Sequence, residues 1–454
     1  MDSKTRTDSV LDKSNNPPTL PRFYQASRFQ EAAHKFMLEL FLEHGDVLCW
    51  KGFFNVYLIN HPESIRQVLS KNYEHYSKHT IDYRVLKNIM GNGLVSNDGP
   101  SWVRQRKLMQ PVFSNRNVNS FDAAINQATA DTLTRWQALP AGETLWMDRE
   151  MLRLTYQIVG STLFGTDIDE YHDQIAEILE IVNLRPQEYK ALLTMISWLP
   201  VASNRRWRKA KNQLDKIVYA LIDKRREEGI GDNDILDRLL GAKDEDTGQG
   251  MDEKQLRDEV VTLMLAGHET SANALAWTLH LLSINPEIEQ RLYDEIGQVI
   301  GDEPATAADL LNIPYLKQVV QESMRIYPPV WAIARRSEEP AEYNGFYIPE
   351  KSYIGIVPYA LHRDPKLWPD PTRFDPDRFS PENAKGRHSY CYLPFAAGPR
   401  ACIGASMAML EIQLALVQIV RRFKLAMVPN HPIDSMAKVT LRPRHGIAMT
   451  ITPR

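Results

Sequence analysis

Residues 395–404 read FAAGPRACIG, and they run into a periodic apolar stretch, about Ile403 to Phe423, that the spacing predicts to be a long helix. A single cysteine in a chain of this size is ordinarily a small apolar core residue. Cys402 has better surroundings than that. It lies at a predicted helix N-terminus, where exposed N–H groups and the helix dipole stabilise a thiolate. Gly398 and Gly404 allow a tight turn and the close approach of a bulky planar group. Arg400 offers a two-pronged donor for a carboxylate. A thiolate, room for a plate and a carboxylate-binding arginine suit an iron porphyrin with propionates. Cys49 and Cys391 have no such neighbours and read as structural.

Upstream, residues 362–400 are rich in Pro, Asp and Arg with little periodicity. A coil that long inside a compact protein is uncommon and usually functional. From Glu342 to Ala360 the text reads as two short strands around a turn. VLCWKGFFNVYLIN, Val47 to Asn60, reads as a hairpin turning at Lys51-Gly52. Most of the remainder up to Pro329 carries helical patterns, so the fold class is mainly α with a minor β part. One helix stands out. Asp252 with Gln255 makes a capping-box-like start, and Asn285-Pro286 marks the end. Apolar residues surround Val260–Leu265 and Leu275–Leu282, which makes this a buried helix crossing the protein. Its middle, Ala266-Gly267-His268-Glu269-Thr270, breaks the apolar pattern. Ala266, Gly267 and Thr270 share a face, and small residues with a hydroxyl form a notch for a flat ligand. A zinc-protease HExxH is excluded because Ala272 stands where the second histidine belongs.

The 454 residues are 43% hydrophobic and 24% charged, ordinary for a globular protein. Lys plus Arg is 54 and Asp plus Glu is 57, a net charge of −3, so nothing calls for nucleic acid. Three cysteines and no CxxC argue for a reducing, cytoplasmic setting and against a structural zinc site. The first thirty residues hold no apolar run, so no membrane anchor is expected there. Residues 1–20 are expected to be a loose, flexible tail, and 21–454 a single catalytic domain.

FxxGxRxCxG at 395–404 resembles the haem-binding loop of the cytochrome P-450 family, and further family motifs follow the same order. Ala266-Gly-His-Glu269-Thr270 is similar to the oxygen-activating groove, Glu322-Ser-Met-Arg325 to ExxR, Asp375-Pro-Asp-Arg378-Phe379 to PxRF, and Trp102-Val-Arg-Gln-Arg106 to WxxxR. The resemblance implies the P-450 fold, with the long central helix over a haem b and a proximal cysteine loop. It implies Cys402 as the iron ligand, Phe395 packed beside it, and Trp102 and Arg106 together on one propionate. Arg400 is implied as a second propionate partner. A third is Arg335 or Arg336, and the spacing to Gly345 favours Arg336. Thr270 and Glu269 are implied as the catalytic pair that delivers protons. Glu322, Arg325 and Arg378 are implied as a buried structural network.

The implied activity is a monooxygenase reaction, hydroxylation or epoxidation, using O2 and NAD(P)H electrons through a ferredoxin or flavodoxin with its reductase. Family topology puts His79–Val95, Ile181–Met195, Leu263–Thr270, Val330–Ile333 and Arg444–Ile447 near the substrate. Ile89, Met90, Leu94, Val95, Met264, Val330, Trp331 and Ile333 are apolar, which favours a lipophilic substrate such as a fatty acid or terpenoid. The wording of 322–329 and 361–371 looks more like the microsomal and fatty-acid-hydroxylating branches. The expected form is nonetheless a soluble bacterial monomer. A peroxide-driven peroxygenase or rearrangement enzyme, and a non-enzymatic haem sensor or lipid-binding module, are the competing classes. Both fit Glu269-Thr270 less well. Arg104, turned about 200° from Trp102 and Arg106, is expected to point outward and to dock an acidic electron donor.

Overall fold

Val47–Lys51 and Asn55–Ile59 pair antiparallel, with Lys51 opposite Asn55, as the alternation and the Lys51-Gly52 turn predict. In the computed structural model, which describes residues 13–140, 142–165, 171, 174, 175, 177, 178, 181, 202–231, 233–301 and 303–454, this hairpin seeds a six-stranded sheet. The spatial order is Thr19–Leu20, Val47–Lys51, Asn55–Ile59, Tyr353–Ile356, Ile333–Ser337, Tyr76–Ser77. The sheet belongs to the first of two compact units, drawn from Met1–Thr80, Ala332–Pro369 and His388–Ala401. Its core is β-branched and aromatic: Val47, Ile59, Ile65, Val68, Ile354 and Ile356 close over Leu393, just upstream of the cysteine motif. Each fully buried aliphatic side chain contributes about 1.5–3 kcal/mol.

Two expectations change in this unit. The loose tail does not extend to residue 20, because Thr19 and Leu20 pair in parallel with Cys49 and Trp50 and Leu20 is buried. Residues 342–360 supply three strands. Ala341–Tyr343 and Phe346–Ile348 form a hairpin turning on Asn344 and Gly345, both at positive φ, as a tight two-residue turn requires. The third strand, Tyr353–Ile356, follows a second turn with Lys351 at φ 58 and joins the large sheet.

The second unit comprises Ile81–Trp331, Asp370–Arg387 and Cys402–Arg454 and is mainly helical. Its axis is the central helix, Glu253–Ser283. The Asp252 side chain accepts the N–H of Gln255 at 2.7 Å, the predicted cap, and the next helix begins at Pro286. The helix lies against Met147–Phe164, where the Thr155 hydroxyl donates to the His268 carbonyl at 3.0 Å. On another side Trp277 stacks on Tyr327 at 3.8 Å between ring centres. The helix after the cysteine, Ala405–Arg422, begins where the sequence predicts. Small sheets complete the unit: Phe423–Met427 with Ala448–Pro453 and Thr144–Trp146, and the hairpin Ser435–Ala437 with Leu441–Pro443. Among the described residues no helix is long and apolar enough to cross a membrane.

Candidate active site

From Leu256 to Leu282 every residue of the central helix is buried except Leu263, Ala266, Gly267 and Thr270. These four stand at i, i+3, i+4 and i+7, so they share one face. A partly open stripe on an otherwise buried helix is a groove, lined by two small residues and one alcohol. The Gly267 hydrogen is not what opens it: a Cβ there would meet Val159 Cγ2 at 3.7 Å, an ordinary contact. The Thr270 hydroxyl donates to the Ala266 carbonyl at 2.7 Å, the back-bond expected of a mid-helix threonine.

Glu269 is placed differently from Thr270. Its side chain is buried, and Oε1 accepts from Arg442 Nε at 2.6 Å and from the Thr440 hydroxyl. The acid and the alcohol, adjacent in sequence, therefore serve different faces, since successive helical residues are about 100° apart. Sequence reasoning missed Arg442 and Thr440. They lie more than 170 positions away, and no spacing in LRPR signals a partner on the central helix.

Cys402 immediately precedes the helix Ala405–Arg422, whose cap residue is Gly404. It is accessible to solvent, yet protein crowds it enough for desolvation to raise its thiol pKa; the Gly404 N–H and the Arg106 charge both lower it. The helix terminus alone therefore does not hold a thiolate. A bound metal ion deprotonates a coordinating thiol outright. Trp102 is buried on Gly99–Met109, and Arg106 lies one turn further on, its Nε donating to Gln110 at 2.9 Å. Desolvation lowers the Arg106 pKa, and Cys402 raises it. Gly404 differs from Gly398: a Cβ on it would meet no protein atom within 4 Å. An accessible thiol with an N–H on its sulfur, a desolvated guanidinium and an open stripe of small residues, all in one unit, fit a haem with propionates.

In the first unit, the run Phe395–Arg400 is half-buried apart from Pro399. Gly398 has φ +73, and an added Cβ would lie 2.0 Å from the Leu69 carbonyl oxygen. Its expected role, making room for a planar ligand, is thus corrected: the backbone at 69–70 fills that space. Arg400 donates through one nitrogen to the carbonyls of Tyr73 (3.1 Å) and Tyr76, which clamps the loop to that segment. Arg336, favoured from sequence as a propionate partner, instead grips Glu338 through two bonds of 3.0 and 2.8 Å. The reason is strand alternation: the two arginines face opposite ways, and Arg335 is the one buried, at 3% exposure.

The network around Glu322 is as expected. Arg325 Nε and an Nη donate to the two Glu322 oxygens at 2.6 and 2.8 Å, and Arg378 Nε reaches Oε1 at 3.3 Å. Further bonds from Arg325 to the Pro371 and Arg373 carbonyls, and from Arg378 to that of Asp370, tie down the coil. Arg104 does not point freely outward. It donates to the carbonyls of Gln249 and Gly250 and to Gln255, beside Asp244, while Lys107 pairs with Asp246. An acidic loop folds back over the expected basic face. Of the substrate segments, Ile89, Met90, Leu94 and Met264 are buried, Val330 is exposed, and Trp331 donates to the Lys438 carbonyl at 2.9 Å. Within Ile181–Met195, positions 182–195 lie outside the described residues.

Comparison with known proteins adds to this geometry. The family model for Cytochrome P450 matches residues 15–450. Cyclooctatin synthase of Streptomyces melanosporofaciens is 35% identical over 416 residues, covering 90% of this chain and 88% of that protein. Cyclooctat-9-en-7-ol 5-monooxygenase of the same organism is 35% identical over 392 residues, 85% of this chain and 84% of that protein. The crystal structure of the cytochrome P450DA heme domain superposes with a TM-score of 0.85 at 22% identity, covering 97% of this chain and 98% of that one, a likeness of fold. With the thiol, the groove and the ion network in place, this chain belongs to the cytochrome P450 family of haem-thiolate monooxygenases.

Proposed function

We propose that this chain hydroxylates or epoxidises a lipophilic small molecule, terpenoid in preference to fatty acid, with haem b as cofactor and NAD(P)H electrons delivered by a ferredoxin or flavodoxin and its reductase. The observation that carries the reading is the open stripe Leu263, Ala266, Gly267 and Thr270 on a buried helix, in the unit that also holds Cys402. The two Streptomyces relatives, whose names attach them to cyclooctatin and a cyclooctatenol, favour the terpenoid side. The family match runs through both compact units, which supports 21–454 acting as one catalytic domain. A monomer in the cytoplasm is part of the same reading; three cysteines without a CxxC pair favour a reducing compartment, and fractionation and gel filtration check both.

Cys402 would hold the haem iron through its sulfur, and the Gly404 N–H on that sulfur would moderate the charge it donates. When bound, the haem supplies the activated oxygen that enters a C–H or C=C bond. Arg106 and Trp102 orient one propionate. Arg400, and Arg335 in place of Arg336, are the candidates for the others, while Phe395, Gly398 and Gly404 shape the cysteine loop. Thr270 Oγ1 donates its proton to Ala266, which leaves its lone pairs to accept from a water entering the groove. Glu269 carries protons between solvent and that water.

The test is a screen for substrate-induced spin-state shifts with terpenoids and fatty acids. It is followed by turnover with NAD(P)H and surrogate redox proteins, set against hydrogen peroxide alone. Terpenoid binding with NAD(P)H-driven product is expected. Product from peroxide alone, with none from the redox proteins, overturns the reading. Cys402→Ser should abolish the red-shifted Soret band of the ferrous carbon monoxide complex, and Cys391→Ser, at a buried site, should retain it.

A further inference from the structure

Three consecutive charged residues of the central helix, Arg257-Asp258-Glu259, are buried within two turns of the start of the open stripe. Buried charges persist where they are paired and hydrogen-bonded, and these converge on one short stretch of backbone. Asp258 Oδ2 accepts the Asn92 N–H at 2.7 Å, and Glu259 Oε2 accepts the Leu94 N–H at 2.9 Å. Arg257 Nη1 donates to the Ile89 carbonyl and to Asp258 Oδ1, both at 2.9 Å. Its Nε donates to Asp215 Oδ1 at 2.8 Å, and Nη2 donates to the same oxygen. Asp215 lies on the helix Ala202–Glu228, so one guanidinium joins that helix to the end of the helix Ile81–Met90. The approach of the chain is close. A Cβ on Gly91 would overlap the Asp258 carboxylate, and one on Gly93 would overlap Thr262 Oγ1 and the Asp258 carbonyl. Asp258, Thr262 and Ala266 stand at i, i+4 and i+8, so the backbone at 91–93 lies on the row that leads to the groove.

We infer that Arg257, Asp258 and Glu259 are positioning residues for substrate selectivity: they fix where the wall Ile89–Leu94 stands on the central helix, and Arg257 makes that place depend on the helix Ala202–Glu228. This rests on the reading of Ile89, Met90 and Leu94 as substrate wall. A buried ion cluster adds little net stability over apolar packing of the same volume, so burial of three charges here points to placement. Charge-assisted bonds are short and directional, which suits them to hold a backbone in register. The bonds end on the carbonyl of 89 and the N–H groups of 92 and 94, so the side chains of the wall are free to face a ligand while the chain that carries them is held. A wall pinned at three points within six residues yields little to a bulkier molecule, and it selects by exclusion.

The experiment compares Glu259→Gln, Asp215→Asn and Leu94→Phe with the parent, all as holoenzymes. Amide hydrogen exchange over 89–94 reads the clamp. Spectral dissociation constants for a linear and a polycyclic terpenoid read selectivity. Glu259→Gln turns a charge-assisted bond into a neutral one, and exchange at Leu94 should quicken about fivefold, with the rest of the central helix as in the parent. The ratio of the two dissociation constants should move several-fold toward the polycyclic ligand, while haem content and the carbon monoxide spectrum stay unaltered. Asp215→Asn, on a different helix, should quicken exchange over 89–94 and shift selectivity in the same direction. Its side chain is 26% exposed, so it supplies the same test where Glu259→Gln yields no holoprotein. Unchanged exchange over 89–94 in both variants, exchange quickened equally throughout the protein, or quickened exchange with the parent's selectivity overturns the inference. An effect of Glu259→Gln without one of Asp215→Asn overturns the dependence on the helix Ala202–Glu228. Leu94→Phe alters the wall directly and should disfavour the polycyclic ligand. If it leaves selectivity as in the parent, the wall reading itself has failed, and the inference falls with it whatever the exchange shows.

Discussion

Two single atoms separate structure from chemistry at the site. Among the described residues the Thr270 hydroxyl bonds its own helix alone, so Thr270→Ala removes one back-bond, and helix propensity offsets part of that loss. Haem and substrate binding should persist, while hydrogen peroxide released per NAD(P)H consumed rises several-fold; peroxide and product assayed together check this. At Gly398 the missing Cβ is structural. An alanine there meets the Leu69 carbonyl at 2.0 Å with φ at +73, so Gly398→Ala should cost about 2–4 kcal/mol, read as a lowered Tm. Gly404→Ala serves as the contrast, since a Cβ there meets no protein atom within 4 Å. The two glycines look alike in the motif FAAGPRACIG. Only the fold shows that one makes room for backbone.

At the scale of elements, helices are joined through buried charge. Glu322 and Arg325 are both fully buried, and removing one partner leaves the other uncompensated. Glu322→Gln should cost about 3–5 kcal/mol, measured by thermal unfolding of the holoprotein, with the coil at 370–378 the first part to loosen. The helix Ala405–Arg422 presents Glu411 to the central helix. Burial pushes its carboxyl up to about 8 from 4.5, and the Ser271 hydroxyl lowers it in part. Between those pH values the unfolded chain has released a proton that the folded chain keeps. Stability therefore falls as pH rises from 4.5 toward about 8, then levels. Glu411→Gln keeps the shape without the ionisation, so its gain in Tm over the parent should be larger at pH 8 than at pH 5.

For the whole molecule, the net charge of −3 leaves room for a local basic face, and Arg104 and Lys107 are the right residue types for one. The loop Asp244–Glu245–Asp246 neutralises them instead. Arg104→Glu would set a second acid beside Asp244 and release the Gln249 and Gly250 carbonyls. The expected outcome is an equal loss of turnover whether electrons come from an acidic redox protein or oxygen comes from peroxide, with an unchanged salt dependence. A loss confined to the protein-driven assay would restore Arg104 as a docking residue. The division into two compact units falls between Ala401 and Cys402, inside the most informative motif of the chain.

What the amino-acid sequence determined by itself was whatever depends on short-range spacing. The central helix with its Asp252 cap, the Lys51-Gly52 hairpin, the Glu322–Arg325 pair and the helix after Cys402 are all set by residues within a turn or two of each other. The cysteine, glycine and arginine of residues 395–404 likewise named the cofactor chemistry from one decapeptide. Tertiary structure alone decided the rest, because those outcomes depend on partners distant in sequence. Glu269 is held by Arg442 from the far end of the chain, Gly398 is demanded by Leu69, and Arg104 is covered by the loop at 244–250. Arg336 turns to Glu338 through strand alternation, which leaves Arg335 buried. A side chain's type is local, but its hydrogen-bond partner is chosen by whichever backbone the fold brings within 3 Å or so.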